Sequence, residues 1–312
     1  MRFLLIPFCL VTAFAQVGVV AQKEQVEVTI DGKPFTTFYY GAEANKPYLH
    51  PLRAGSGKIV TRRFPMENIE GEQRDHPHHR GLWFSHGDVN GWDFWANEKT
   101  QKGVGKGIGT IAFDKLVSAK GGKKAGEIKA NFTWKSGDGK SLLSEQKTVR
   151  ISPLGTSRVI DVEVLLTALE PVKFGDTKEG TFAIRLIRAL EETHTGTMIA
   201  STGKSKEKAV WGSPAAWVDY SGKVEGEELG IAIFDHPKNP RHPTYWHSRA
   251  YGLFAANPFG LHDFLRDKTK DGSLELKTGE KLTFRYRVLI HEGNTEAAGI
   301  AKLYTDWAAK AK

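Results

Sequence analysis

Arg158-Val159-Ile160-Asp161-Val162-Glu163-Val164-Leu165-Leu166-Thr167-Ala168 is the stretch that decides the fold. In an extended chain, alternate residues share a face. Val159, Asp161, Glu163 and Leu165 then point one way, and Ile160, Val162, Val164 and Leu166 the other. Charge on one side with an unbroken apolar row on the other marks an antiparallel strand with one wet face. The same alternation recurs outward in both directions. Gln25–Ile30 ends in the turn signal Asp31-Gly32, and Glu127–Lys135 and Leu142–Ile151 form a hairpin across Ser136–Lys140. Lys58–Phe64, Gly109–Ala119, Thr181–Ala189, Ala216–Tyr220, Val224–Glu227 and Gly230–Phe234 read as further strands, with a turn at Ser221-Gly222. In Lys281–His291, Leu282, Phe284, Tyr286, Val288 and Ile290 face one side, and Arg285, Arg287, Leu289 and His291 the other. Leu274–Leu276 precedes it across a turn at Thr278-Gly279. The end of the chain differs. Asn294 can cap a helix in which Ala297, Ile300, Leu303, Tyr304 and Trp307 recur at helical spacing. About fifteen to eighteen short strands, turn signals every ~8–12 residues and one terminal helix predict an all-β, large antiparallel double-sheet sandwich with a C-terminal helix packed outside it.

The chain has 312 residues, 40% of them hydrophobic and 26% charged, as in a globular protein with a sizeable core. Its formal charge of +8 is scattered, often in Gly-Lys turns, and no recognition motif accompanies it, which excludes a nucleic-acid partner. Met1-Arg2 followed by the apolar run Phe3–Ala15 reads as a signal peptide, with small-residue cleavage patterns at Ala13-Phe14-Ala15 and Val19-Val20-Ala21. The expected organisation is a leader over 1–21 and a single β-sandwich domain over 22–312. The expected location is periplasmic or secreted. The single cysteine, Cys9, lies in the leader, so the mature chain has no disulfide or thiol chemistry. No later run reaches the roughly 18 apolar residues of a membrane span.

Chemistry-bearing side chains concentrate in Asp75–Trp95. His76, His78, His79 and His86 fall there, four of the eleven histidines in the chain, with Arg80, Asp88, Asp93, Trp83, Trp92 and Trp95 among them. Two other stretches have similar character, Asp235–Arg249 and Arg285–Gly293, and the expectation is that all three converge on one hollow. Read as extended chain, His76, His78 and Arg80 project together with His79 opposite, and Pro77 puts the segment at a rim or edge. Two chemistries stay open. One is acid/base work on a carbohydrate or small polyhydroxylated substrate, since a histidine titrates near neutrality. There His78, His79, His236 and His291 are the candidate catalytic groups. Arg80, Arg185, Arg241, His242 and Asn257 hold the substrate, and Trp92 and Trp246 form stacking walls. The other is a metal site made by His76, His78 and His86, His-x-His being a familiar ligand spacing. No other cofactor is expected. Glu179 is placed to pair with Arg185. Paired carboxylates for glycoside hydrolysis are not evident, so proton abstraction by an epimerase or lyase is favoured over hydrolysis. A non-catalytic carbohydrate-binding protein is the remaining alternative, with its tryptophans on a flat exposed face.

Several motifs together are similar to the PmoA-like family of unknown function. They are Asp75–Trp83, Val89–Trp95, Asp235-His236-Pro237 with Asn239-Pro240-Arg241, Tyr245-Trp246-His247, Asn257-Pro258-Phe259-Gly260, and Arg287 through His291. The resemblance covers nearly the whole chain after the leader. It implies a secreted bacterial protein encoded beside carbohydrate-degrading genes, and it carries over no catalytic residue. In strand count and size the chain also resembles the galactose mutarotase-like supersandwich proteins, by analogy of fold alone.

Overall fold

The computed structural model describes residues 16–311. The apolar run Phe3–Ala15, with Cys9, lies outside the described residues. Two eight-stranded antiparallel sheets face each other. The first runs β1 (Val17–Ala21), β2 (Gln25–Ile30), β3 (Lys33–Tyr39), β4 (Tyr48–His50), β5 (Leu82–His86), β11 (Gly180–Arg185), β16 (Leu253–Asn257) and β15 (Tyr245–Ser248). The second runs β12 (Thr197–Ala200), β13 (Trp217–Val224), β14 (Glu227–Asp235), β18 (Lys281–Glu292), β9 (Ser157–Ala168), β8 (Ser141–Leu154), β7 (Gly126–Lys135) and β6 (Thr110–Lys120). A two-stranded ribbon pairs β10 (Val172–Phe174) with β17 (Leu274–Leu276), so Leu274–Leu276 does not form a hairpin with β18. Short helices α1 (Glu207–Val210) and α2 (Leu261–Phe264) lie in connections, and α3 (Ile300–Ala308) closes the chain. The all-β double sandwich read from the alternation is the fold observed.

The alternation works because each sheet has one face in the shared core. Phe182 stacks on Tyr286 of the opposite sheet (ring centroids 4.4 Å apart), and Phe84 meets Phe284 (5.2 Å) and Trp134 (6.2 Å). In β18, Phe284, Tyr286, Val288 and Ile290 join this core, while Leu289 faces outward. On the outward face Arg285 lies directly opposite Glu163 and Arg287 opposite Asp161. Both pairs close at 2.6–2.7 Å. These arginines therefore satisfy the acids of β9, and Arg285 with Asp161 and Glu163 borders a small cavity of about 260 Å³ beside His236 and Trp307. α3 covers the same outer face, setting Ile300, Leu303, Tyr304 and Trp307 against Trp217, Phe234 and Leu289. Asn294 Oδ1 does accept the Ala297 N–H (2.9 Å), but it caps a turn, and regular helix begins only at Ile300.

Two local expectations are corrected, the strand at Lys58–Phe64 and the turn at Ser221-Gly222. Lys58–Phe64 makes only isolated bridges, Arg53 with Ile59 and Thr61 with Leu186. β13 continues through Ser221-Gly222, and the chain turns instead at Glu225-Gly226, both at positive φ (49° and 86°). Val17–Ala21, read as the end of the leader, is strand β1. It pairs with Val26–Ile30, and Val17 exchanges two backbone hydrogen bonds of 2.9 Å with Gly122 next to the second sheet.

Candidate functional site

The histidine-rich segment is a turn, not a strand. His76 adopts a left-handed φ of 43°, the His79 N–H bonds back to His76 O (3.0 Å) and the Arg80 N–H to His78 O (3.1 Å). Pro77 has no N–H to lose, which suits this reversal. The turn gathers the rings that an extended chain would split. His76 stacks on His79 (4.8 Å, 7° between planes), and His78 meets both edge-on, at 5.6 and 4.4 Å. The stack continues outward to Tyr251 (5.7 Å from His76) and inward to Trp83 (5.3 Å from His79). Trp95 closes the inner end, 5.1 Å from Trp83 and 5.9 Å from His79. Strand alternation places Trp83 and Ser85 of β5, and Ala183 and Arg185 of β11, on the outer face of the first sheet, away from core residues Phe84 and Phe182.

Two buried arginines strap this turn to the sheet. Arg185 donates to Gln73 Oε1 (2.8 Å) and Asp75 Oδ1 (3.2 Å), and its guanidinium lies 4.7 Å from the Tyr251 ring. Arg62 donates to Asp75 Oδ1 (2.6 Å), Asp75 O (2.9 Å) and His76 O (2.9 Å). The expected Arg185–Glu179 pair does not form, because Glu179 is taken by Lys178 at 2.8 Å. Arg80 grips Glu98 through two bonds (2.6 and 2.8 Å) and lies over Tyr48. Beside Arg80 opens a cleft of about 460 Å³, lined also by the stacked pair Tyr39 and Tyr48 and by Met66.

Hydrogen bonding fixes the tautomers. A guanidinium only donates, so His79 Nδ1 accepts from Arg185 Nη1 (3.2 Å) and the ring proton sits on Nε2. Asp75 Oδ2 accepts from His76 Nδ1 (2.7 Å), which leaves His76 Nε2 as an acceptor. Gln101 Nε2 donates to His78 Nδ1 (2.9 Å). Burial pulls His78 down to about 2 and His79 well below the ordinary histidine range, with neighbouring cations adding to the effect. Burial pushes the Asp75 carboxyl up, but Arg185, His76 and Arg62 outweigh it and hold it below its usual range. The cluster thus contains two neutral imidazoles and an ionised carboxylate that orients a third. Its solvent end is at Asp75 and His76, whose side chains are 40% and 43% exposed.

The proposed convergence of three segments does not occur. Of the residues singled out from sequence, His76, His78, His79, Arg80 and Arg185 come together. His236, His242 and His291 lie by the outer face of the second sheet, across the core. His236 packs on Trp307 (5.1 Å), His242 binds Asp235 (2.7 Å), and His291 binds Asp219 (2.9 Å), which also accepts from Thr295. Arg241 donates to the carbonyls of Pro258, Gly272 and Ser273, tying loops together. Asn257 bonds Thr177 O (2.9 Å) and the Phe259 N–H (2.8 Å), again within loops. Trp246 is a core residue whose indole donates to Ala215 O (2.9 Å). Trp92 lines a separate cavity of about 700 Å³ with Asn90, Lys106 and Glu170.

The metal alternative fails on geometry. His86 points into the core between Phe174 and Phe259 and bonds Gly175 O (2.9 Å), on the other side of the sheet from His76 and His78. Nor can His79 replace it. An imidazole binds a metal in its own ring plane at about 2.0–2.1 Å. The near-parallel planes of His76 and His79 share no such point. No cluster of three metal-ligating side chains occurs among the described residues.

Sequence reasoning passed over Ser85, Arg62, Gln101 and Tyr251, and it noted Asp75 and Trp83 without giving either a role. The alternation Leu82-Trp83-Phe84-Ser85 could have placed Trp83 and Ser85 on one face. Nothing in the sequence announces that Arg62 and Tyr251 meet there.

The family model that matches, over residues 25–305, is that of a family of unknown function, DUF6807. That match corrects the resemblance to the PmoA-like family drawn from the histidine and tryptophan motifs. No curated protein matches the chain. Among solved structures, galactose 1-epimerase from Lactobacillus acidophilus is similar at TM-score 0.44 and 10% identity, over 90% of this chain and 99% of that one. A galactose mutarotase-like protein from Clostridium acetobutylicum gives 0.40 and 10%, over 89% and 99%. An α-galactosidase from Lactobacillus brevis gives 0.41 and 9%, over 88% of this chain and 39% of that one, so this chain spans well under half of the enzyme's length. These are likenesses of fold.

Proposed function

The chain belongs to the DUF6807 family, whose name carries no activity, and from that premise we propose a carbohydrate-active enzyme that moves a proton at a sugar carbon, as an epimerase or lyase does. The observation that carries this reading is the Asp75–His76 dyad. Asp75 holds the His76 Nδ1 proton at 2.7 Å, which directs the basic Nε2 outward at the partly exposed end of an aromatic stack. A base so oriented, and free of protein partners, is equipped to take a proton. The aromatic faces of Tyr39 and Tyr48 in the cleft beside Arg80 suit the C–H faces of a sugar ring. The catalytic role thus moves from His78, His79, His236 and His291 to His76 as base. Such a protein would be expected in the periplasm or outside the cell.

Proton NMR in D₂O tests this, using purified protein and a panel of neutral and acidic sugars. Loss of one sugar C–H signal is expected. His76→Gln should slow that loss by roughly 10²–10⁴-fold, the usual worth of a positioned acid/base group. Exchange that His76→Gln leaves at the wild-type rate would overturn the reading. Sugar binding without exchange would leave a binding protein instead of an enzyme.

A further inference from the structure

The Val89-Asn90-Gly91-Trp92 motif and the cavity beside it have no part in the His76 turn. Asn90 and Gly91 take left-handed φ values of 55° and 85°, and Val89 and Trp92 exchange backbone hydrogen bonds of 2.9 and 3.0 Å, as in a tight two-residue hairpin. Other segments clamp it. Asn90 Oδ1 accepts from the Lys173 N–H (2.7 Å), Asn90 Nδ2 donates to Pro171 O (3.0 Å), and the Lys106 N–H donates to Gly91 O (2.8 Å). The hairpin presents Trp92, whose half-buried ring packs partly against the core and also lines the cavity of about 700 Å³. Gly137 in the β7–β8 turn makes room for that ring, since a Cβ there would come 2.5 Å from Trp92 Cζ3. The cavity thus lies where that turn meets β10 and the loop after β5.

Three lysines, Lys106, Lys140 and Lys173, and three carboxylates, Asp88, Asp138 and Glu170, line the same cavity. Elsewhere such groups pair, as Lys58 does with Glu227 and Lys129 with Glu127. Among the described residues none of the three lysines forms an ion pair with any of the three acids. Their bonds run to neutral neighbours instead. Lys106 Nζ donates to Asn90 O (2.9 Å), Glu170 accepts from Asn90 Nδ2 (3.3 Å), Asp88 from the Gly91 N–H (2.8 Å) and Asp138 from Ser136 Oγ. An ammonium has three donors and a carboxylate about four acceptor sites, so both kinds of capacity are left over around the cavity. An anion entering it would meet three acids, and a cation three lysines. A neutral polyol answers both, because each hydroxyl donates and accepts. The Trp92 indole suits the C–H face of a sugar ring, and the volume falls within the range of about 300–1,000 Å³ usual for ligand pockets. We infer that this cavity is a second sugar site, which takes a neutral glycan chain and is separate from the His76 turn. The inference goes beyond the enzyme reading and does not rest on it. The clamped hairpin holds Trp92 in place before a ligand arrives, which lowers the entropic cost of binding. A glycan held here is a tether that raises the effective concentration of the rest of its chain around the protein.

Calorimetric titration with cellohexaose, xylohexaose, mannohexaose, maltohexaose, trigalacturonate and inorganic phosphate tests the inference. At least one of the neutral chains should bind, and more tightly than trigalacturonate or phosphate. Trp92→Ala should weaken that binding by about tenfold or more, as removal of a central aromatic anchor does. Trp92 also touches the core, so two exposed positions carry the test where folding is not at stake: Lys140→Ala and Lys173→Ala should each weaken binding by about threefold or more. His76→Gln should leave the affinity unchanged, and Lys140→Ala should leave proton exchange on a monosaccharide unchanged. Neutral-chain binding that survives all three cavity variants, tighter binding of trigalacturonate or phosphate, or no binding of any neutral chain would each overturn this inference. Absence of proton exchange would remove the enzyme reading and leave this site standing.

Discussion

Glu145 and Lys147 point between the two sheets from β8, where almost every neighbour is apolar. Their ion pair closes at 3.0 Å, Trp134 Nε1 donates to the same carboxylate (2.7 Å), and Phe132 and Phe84 lie under the ammonium at 5.4 and 6.0 Å. Removing one member leaves a buried charge unpaired, which costs about 3–5 kcal/mol, whereas replacing both by apolar residues is near neutral or stabilising. We therefore expect Glu145→Gln to lower stability by roughly that amount in urea denaturation, and Glu145→Leu with Lys147→Met to recover most of it. A single substitution costing under ~1 kcal/mol would mean that the pair is hydrated rather than buried. The strand that carries this pair was legible from its alternation, but the pair was not, because alternation ranks faces and does not say what a charge meets across the core. Arg285 and Arg287 teach the same point. Their face was read correctly, and their partners Glu163 and Asp161 depend on register with β9. At the candidate site the histidines drew notice by density alone. Their phase was misread because a left-handed φ at His76 converts strand into turn, and Pro77 was taken as a mark of an edge.

Elements were legible wherever a strand had one wet and one dry face. They were less so where a signal residue had another use. Gly222 resembled a turn, yet it pairs with Leu229 inside β13; a Cβ there would come within 3.0 Å of Thr195 O and 3.1 Å of Ala189 O. The close approach of another backbone explains that glycine. The turn itself, Glu225-Gly226, has positive φ at both residues, the pattern of a tight two-residue hairpin. At the other end of the chain, β1 discriminates between the two cleavage positions of the expected leader. Cutting after Ala21 would remove a whole strand, including buried Val17 and its bonds to Gly122, and bare the edge of β2. Cutting after Ala15 keeps β1. It also keeps Gln16, whose carbonyl accepts from the Asp31 N–H (2.9 Å). We propose that export is accompanied by cleavage after Ala15. Intact-mass measurement of protein secreted from a bacterial host should give a chain beginning at Gln16. A chain beginning at Gln22 would show β1 to be dispensable, and a full-length chain would refute the leader.

Across the whole molecule, histidine burial sets the response to acid. Burial takes His50 down to about 3, His78 to about 2, and His86 and His247 to about 4, and it drives His79 well below its ordinary range. Unfolded, each would titrate near 6.5. Between that value and the folded ones, the unfolded chain binds more protons, so stability falls as pH falls. Each such histidine contributes a slope approaching 1.4 kcal/mol per pH unit, and five together approach about 7. His291 works in the opposite sense. Burial lowers it, but its bond to Asp219 outweighs burial and leaves it raised, so its contribution is present below 6.5 and lost as pH rises through the folded value. Below 6.5 that contribution is constant, so it leaves the acid slope of the other five unchanged. A net stability of roughly 5–15 kcal/mol is then consumed within about one to three pH units below 6.5. We expect cooperative unfolding with a midpoint near pH 5, followed by tryptophan fluorescence and circular dichroism. Replacing His50, whose two ring nitrogens are buried without partners, by Phe should shift that midpoint to lower pH. Native fluorescence persisting at pH 3 would mean that these imidazoles are hydrated in the folded state. The stacked histidine column would then have to be far more open than its packing against Tyr251, Trp83 and Trp95 allows.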